Sequence, residues 1–175
     1  MKYGIVAFLS EESINLHKDY LRNLKLRHSV NEKCDERIKE KSVLEISKIK
    51  RLEGKEDIIR LKLEIQCHEL YFSSFGKAYK TSESVKKYYG TESSFLYLIY
   101  GECMRREAKF LMISSSGGRP QLDFINDFKE AIGIPSPHLA IDLCEHSYFL
   151  DYHFDKSTYL KTMLPYLSLE RLDKK

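Results

Sequence analysis

Asp142 and His146 lie four residues apart, directly after a short apolar run that is typical of a buried strand. The pattern places Asp142 at the end of this strand and His146 on the first turn of a following helix. Residues four apart share one face of a helix, so the carboxylate and the imidazole can point at one spot. Both groups are metal ligands. The spacing predicts half of a metal site, with a helix cap and a surface imidazole as the alternative interpretation.

The residues around this pair resemble a family signature. The iron/manganese superoxide dismutases carry the pattern D-x-W-E-H-A-Y-Y-x-x-Y, and five positions here are similar to it: Asp142, Glu145, His146, Tyr148 and Tyr152. The stretch 155–161 resembles the R-P-x-Y-L-x-A helix that follows in that family. The resemblance implies that Asp142 and His146 are metal ligands. It also implies that Glu145 reaches across a dimer interface to the same histidine of a partner subunit.

Earlier stretches resemble the segments that supply the family's other ligands. Residues 9–17 are similar to L-S-x-x-T-x-x-x-H and end on His17, and residues 67–72 are similar to N-H-x-x-F-W and contain His68. Residues 89–95 are similar to F-G-S-x-x-x-F. The resemblance therefore implies a superoxide dismutase that works as a homodimer on superoxide. It implies one iron or manganese ion per chain, held by four ligands: His17, His68, Asp142 and His146.

The chemistry of this ligand set agrees with a redox metal. Three imidazoles and one carboxylate form a nitrogen-rich, singly anionic site that suits iron or manganese, and the sequence does not choose between them. Zinc accepts the same ligands but has no redox chemistry. His17 and His68 each lie on an apolar stripe of a predicted helix, although one such histidine alone is more often a satisfied core residue.

The first helix leaves two registers open. An alternative alignment matches 17–24 to the family's H-x-x-Y-V-x-N-L, which makes Tyr20 the gateway tyrosine but puts Glu12 at the ligand position. We prefer His17 as the ligand, because the preceding Leu-Ser-Glu-Glu supports that register. Tyr20 is still expected to line the access to the site, one turn away, and is the candidate catalytic residue.

The residues expected around the ligands depart from the family. The places of its additional histidine and tyrosine hold Leu21 and Lys25, and the chain has no tryptophan. Gln66 and Gln121 are the candidates for the family's glutamine, although neither is at the matching place. These departures leave open a second function, that of a superoxide dismutase-like metal-binding protein with little or no dismutase activity.

Composition limits the other classes of function. The chain has 175 residues, 42% of them hydrophobic and 31% charged, as in a globular domain. A net charge of +3 is too small to argue for nucleic acid, and no apolar run approaches the roughly 20 residues that span a bilayer. Four cysteines without a C-x-x-C pair predict reduced thiols. We expect a cytoplasmic protein without nucleic-acid or membrane partners, because the start does not have the pattern of a secretion signal.

The hydrophobic periodicity predicts an α+β fold with a helical amino-terminal domain over 1–80 and an α/β carboxy-terminal domain over 81–175. Ser10 should cap a first helix, 28–42 should be a loop or an irregular helix, and Gly76 should end a long helix in a left-handed conformation. The remaining elements are helices at 42–49, 82–87, 93–106, 143–154 and 156–165, and a small three-stranded antiparallel sheet from 110–113, 121–125 and 139–142. This is the order that the resemblance to the iron/manganese superoxide dismutases implies.

Overall fold

The first helix, α1, spans Glu11–Cys34 in a computed structural model that describes residues 5–77 and 80–174. Ser10 caps it as predicted, since its hydroxyl accepts a hydrogen bond from the Ser13 backbone amide at 3.1 Å. The prediction of a loop or an irregular helix over 28–42 was wrong as far as Cys34, where α1 ends, whereas a 3₁₀ turn at Glu36–Ile38 and irregular chain follow. The inward stripe continues for another turn through His28, which is buried, so the helix continues with it. The first four residues of the predicted amino-terminal domain lie outside the described part.

The long helix α3, Lys55–Ser73, packs against α1 and presents His68. A short helix, α2 at Val43–Lys48, precedes it and begins at a capping box formed by Ser42 and Glu45. The predicted inner face of α3 is buried at Ile58, Leu61, Ile65 and His68. The two long helices meet through a small apolar cluster of Leu24, Leu61 and Ile65. This packing fixes the positions of one histidine on each helix.

Gly76 does not end α3 in a left-handed conformation, contrary to the sequence-based expectation; the helix ends at Ser73. Phe75 instead forms an isolated antiparallel bridge with Leu167, and the Gly76 amide donates to the Tyr166 carbonyl at 2.9 Å. A Cβ atom at Gly76 would lie 2.7 Å from the Ser168 hydroxyl oxygen. The glycine is therefore required by a close approach of two chain segments and not by its φ angle.

Helices α4, Glu83–Tyr89, and α5, Glu92–Arg105, lead into the sheet. Strands β1, Phe110–Ser116, β2, Arg119–Ile125, and β3, Leu139–Asp142, are antiparallel in the order β2-β1-β3. The strands of the hairpin are longer than predicted because the turn is only two residues, Gly117 and Gly118, both with positive φ. Phe110 pairs with Asp142, so one end of the central strand lies beside the predicted ligand.

The segment after β3 is not the continuous helix predicted over 143–154. It contains a 3₁₀ turn at Glu145–Ser147 and the four-residue α6 at Phe149–Tyr152. The Ser147 hydroxyl contacts the carbonyls of Asp142 and Cys144 at 3.3 and 2.7 Å. Such side-chain hydrogen bonds compete with the helical pattern and tighten the chain here. His146 consequently lies in a 3₁₀ turn rather than in an α-helix.

The chain ends in α7, Lys156–Met163, followed by 3₁₀ turns at Leu164–Tyr166 and Leu169–Asp173. One cluster of buried apolar side chains contains members from α3, the sheet and this carboxy-terminal segment. The predicted α+β class, with helices before a three-stranded antiparallel sheet, is confirmed. A division between residues 80 and 81 remains a prediction. Among the described helices, none has the length and apolarity needed to cross a bilayer.

Candidate metal centre

The four predicted metal ligands meet at one place. One ligand atom from each of them lies within 4.8 Å of all the others: His17, His68, Asp142 and His146. The two long helices α1 and α3 bring the first two side chains, the end of β3 brings the carboxylate, and the following 3₁₀ turn brings the last imidazole. The convergence joins residues more than 120 positions apart in the sequence.

The Asp142 carboxylate is the centre of this cluster. Its Oδ2 atom lies 3.3 Å from His17 Nε2, 3.6 Å from His68 Nε2 and 3.2 Å from His146 Nε2. The side chains of His17, His68 and Asp142 are 0% exposed, whereas that of His146 is 39% exposed. Among these four side chains, His146 is therefore the one through which solvent reaches the cluster.

Several of these buried atoms have no hydrogen-bond partner within the described chain: His17 Nε2, His68 Nε2 and Asp142 Oδ2. Leaving a buried polar atom unpaired costs about 1–3 kcal/mol, and the two histidine nitrogens contact Asp142 Oδ2 only at 3.3 and 3.6 Å. A cation held among them would accept all three lone pairs. The donor set therefore fits a metal ion, and its chemistry suits iron or manganese.

Two hydrogen bonds orient the ligands. His68 Nδ1 lies 2.7 Å from the Glu64 carbonyl oxygen, which can only accept, so Nδ1 carries the proton and Nε2 presents its lone pair to the cluster. The Cys144 amide donates to Asp142 Oδ1 at 2.9 Å and leaves Oδ2 free to face the histidines. Contacts of this kind fix the direction of a metal ligand.

The charge states of Asp142 and His68 favour cation binding. Burial opposes ionisation of Asp142, but the neighbouring His146 and His17 outweigh it and hold the pKa of this carboxyl below its usual range. Burial lowers the pKa of His68, which keeps that imidazole neutral. For His146 burial also acts downward, but the Asp142 carboxylate outweighs it and raises the pKa. An ionised carboxylate and neutral imidazoles are the forms that bind metals, so Asp142 and His68 are already in the binding form, whereas a cation would have to displace a proton from His146.

Aromatic rings wall the buried side of the cluster. The His17 ring lies 4.9 Å from that of Phe72 and 5.2 Å from that of Tyr71, and the His68 ring lies 5.1 Å from that of Phe110. Phe72 stands where the family pattern N-H-x-x-F-W has a tryptophan, which this chain does not contain. These rings exclude water from three of the four ligands.

Tyr20 lies on the open side, as expected of a residue that lines the access. Its ring centroid is 5.1 Å from that of His146 and 5.4 Å from that of His68. Its hydroxyl donates to the Glu64 carboxylate, with 2.5 Å between the oxygens. Burial and then the hydrogen bond to Glu64 raise the pKa of the Tyr20 phenol above its usual range. Tyr20 is therefore a neutral hydroxyl at physiological pH.

Glu64 is a site residue that the sequence analysis missed. The signal was its position four residues before His68, which places both on one face of α3. The two glutamines considered for a role beside the ligands do not reach the cluster. Gln66 is exposed on α3, and the exposed Gln121 pairs with Ser114, far along the sheet from the Phe110–Asp142 end.

Glu145, the predicted dimer bridge, has an exposed carboxylate that makes no hydrogen bond or ion pair with any other residue in the described ranges. It lies next to His146 in the sequence but is not among the converging residues. Its contact with a partner subunit stays a prediction.

Comparison with known proteins agrees with this geometry. Residues 72–175, more than half of the chain, match the sequence model of the iron/manganese superoxide dismutases, C-terminal domain. The match contains Asp142 and His146, while His17 and His68 come from the helices before it. A comparison with curated proteins finds no significant match. From the family match across the sheet and the carboxy-terminal helices, the chain belongs to the iron/manganese superoxide dismutase family.

Proposed function

We propose that the protein is a superoxide dismutase with one iron or manganese ion per chain, held by His17, His68, Asp142 and His146. The observation that carries this proposal is the convergence of these side chains within 4.8 Å, with buried ligand atoms that have no other partner in the described chain. The family acts on superoxide, and its metal dependence agrees with this cluster. We further propose that the active protein is a homodimer.

The reaction converts two superoxide anions and two protons into dioxygen and hydrogen peroxide. A bound iron or manganese ion supplies the change between the +2 and +3 states that lets one superoxide be oxidised and the next be reduced. The chain contributes the environment for this chemistry. Asp142 neutralises part of the metal charge, and the rings of Phe72 and Phe110 keep water away from the buried ligands.

Tyr20 is proposed to border the path of superoxide to the site. Its ring lies beside both His68 and His146 on the side that solvent reaches. Because the phenol is neutral and donates a hydrogen bond to Glu64, it is a positioned hydroxyl at the mouth of the cluster.

The test combines elemental analysis with an assay of superoxide consumption on iron- and manganese-loaded protein. We expect about one metal ion per chain in the wild type and loss of metal in Asp142→Ala and His146→Ala. His138→Ala is the matched control, because it removes a half-buried histidine next to β3 that is outside the cluster. Full metal content in either ligand variant would contradict the proposed site.

The same experiment decides between the two functions that the sequence left open. A loaded protein that consumes superoxide supports the dismutase. A protein with full metal that leaves superoxide unchanged would be a metal-binding member of the family without the activity, and the enzymatic part of the proposal would be wrong.

A further inference from the structure

The mouth of the metal centre, formed by Tyr20, Glu64 and His146, carries an acidic side chain that forms no ion pair with another residue in the described ranges. Glu64 is half-buried and one helical turn before His68 on α3. Its side chain accepts the Tyr20 hydroxyl hydrogen bond, and within residues 5–77 and 80–174 no lysine, arginine or histidine forms an ion pair with it. The carboxylate is held by a neutral phenol alone.

A lysine on the facing helix α1 is paired with another acid. Lys25 forms an ion pair at 2.6 Å with Glu69, one turn further along α3. Solvent reaches the cluster past His146, whose imidazole feels the Glu64 charge as well as that of Asp142. A small molecule that reaches the metal past His146 therefore approaches through the field of a carboxylate that has no ion-pair partner in the described ranges.

We propose that Glu64 is a specificity-determining residue of this site, which weakens the binding of small anions at the metal relative to small neutral molecules. The inference rests on the proposed function, because it requires a metal at the cluster. The physical reason is Coulomb repulsion, which acts on an anion and leaves a neutral ligand of similar size unaffected.

The size of the effect follows from the separation. One helical turn is about 5.4 Å, and at about 6 Å two unit charges interact by a free energy that corresponds to roughly a three- to tenfold change in affinity when the effective dielectric constant is about 40–80. Salt also screens the charge of Glu64, because solvent reaches this side of the cluster. The screening length is about 8 Å at physiological ionic strength and about 3 Å at 1 M. A ligand titration can measure both the change in affinity and its dependence on salt.

The experiment is a titration of iron-loaded protein with azide, followed by its visible absorption, in the wild type and in Glu64→Gln. Glutamine keeps an acceptor for the Tyr20 hydroxyl and removes only the charge. We expect azide to bind about three- to tenfold more tightly to Glu64→Gln, and the difference to shrink in 1 M sodium perchlorate. Nitric oxide, a neutral probe added to the ferrous protein, should bind both proteins equally.

Glu69→Gln is the matched control, since it removes the same charge from the same helix but from the acid that pairs with Lys25. Its azide affinity should stay close to that of the wild type.

Equal azide affinity in Glu64→Gln and wild type, at full metal content, would overturn this inference alone. Equal tightening of azide and nitric oxide would also overturn it, because that indicates wider access rather than charge. A wild type that retains no metal would overturn the proposed function, and this inference with it.

Discussion

The Tyr159 hydroxyl donates a hydrogen bond to the backbone carbonyl of Asp142 at 3.1 Å, in an environment where both residues are 0% exposed. The Tyr71 hydroxyl lies 3.3 Å from that of Tyr159 and must donate to it, because the Tyr159 proton is already used. The Tyr71 ring in turn packs against His17. Two buried phenols thus connect the residue that carries the carboxylate to the ring of another ligand.

Tyr159→Phe should therefore weaken metal binding as well as the fold. The substitution leaves the Asp142 carbonyl and the Tyr71 hydroxyl without this partner, which should lower the free energy of unfolding by about 1–3 kcal/mol. Loss of a group that positions a ligand typically lowers metal affinity about tenfold or more. Urea denaturation and competition with a chelator measure the two effects.

Tyr100→Phe is the control for this prediction, because it removes a hydroxyl that contacts only Ser157 at 2.9 Å and is half-buried. It should leave metal affinity unchanged. If Tyr159→Phe and Tyr100→Phe retained metal equally well, the Tyr159 hydroxyl would have no role in positioning Asp142.

Much of the fold and the ligand set could be predicted because they depend on local patterns. The step of three and four residues along α1 and α3 placed His17 and His68 on inward faces, and the apolar run before Asp142 gave the bounds of β3. Family resemblance then joined these separate signals. The structure brings the four side chains together as expected.

What the sequence did not predict depends on contacts between distant segments. From the sequence alone, Glu64 is indistinguishable from an ordinary acidic residue on a helix surface. Its contact with Tyr20, 44 residues away, is seen only in the folded structure. The sequence predicts Gly76 as a helix terminator, because the approach of Ser168 is seen only in the folded structure. The predicted helix after β3 is interrupted because the Ser147 hydroxyl bonds to the carbonyls of Asp142 and Cys144. The hydrophobic periodicity of the sequence gives no sign of these hydrogen bonds.

Gly76→Ala should destabilise the protein, and Ser168→Ala should rescue it. A methyl group at Gly76 would lie 2.7 Å from the Ser168 hydroxyl oxygen, and Ser168 is buried, so the overlap should cost about 1–3 kcal/mol in the free energy of unfolding. Removal of that oxygen in the double variant creates the missing space. Thermal or urea unfolding of the four proteins gives the coupling between the sites. Additive losses in the double variant would contradict the close-approach explanation.

Asp173 should stabilise the start of α4 in a manner that depends on pH. Its carboxylate accepts hydrogen bonds from the Ser84 amide, the Glu83 amide and the Ser82 hydroxyl at 2.9, 3.0 and 2.9 Å. Partial burial opposes ionisation, but the hydrogen bonds from Ser84 and its neighbours outweigh it and hold the pKa of Asp173 below the ordinary value of 3.8. This joins the carboxy-terminal turn to a helix some 90 residues earlier.

A lowered pKa in the folded state contributes stability above the unfolded pKa, and that stability is lost as the pH falls through the folded pKa. Asp173→Asn should therefore lower the free energy of unfolding by about 1 kcal/mol at pH 7, as for loss of a helix cap. The difference from the wild type should narrow as the pH falls below 3.8. Urea denaturation across this range measures it. A difference that stayed constant with pH would show that the charge of Asp173 has no part in the cap.

Glu145→Ala should weaken dimerisation while leaving the metal in place. The carboxylate is exposed, it pairs with no other residue of the described chain, and it lies next to His146, so it is free to reach a histidine of a second subunit. Removal of one partner from a buried charge pair at an interface costs several kcal/mol, so the dimer dissociation constant should rise at least about tenfold. Sedimentation over a range of concentrations, together with elemental analysis, separates the two effects.

Glu53→Ala removes an equally exposed acid elsewhere and should change neither. A dimer unaffected by Glu145→Ala, or a wild type that is monomeric throughout, would contradict the bridging role.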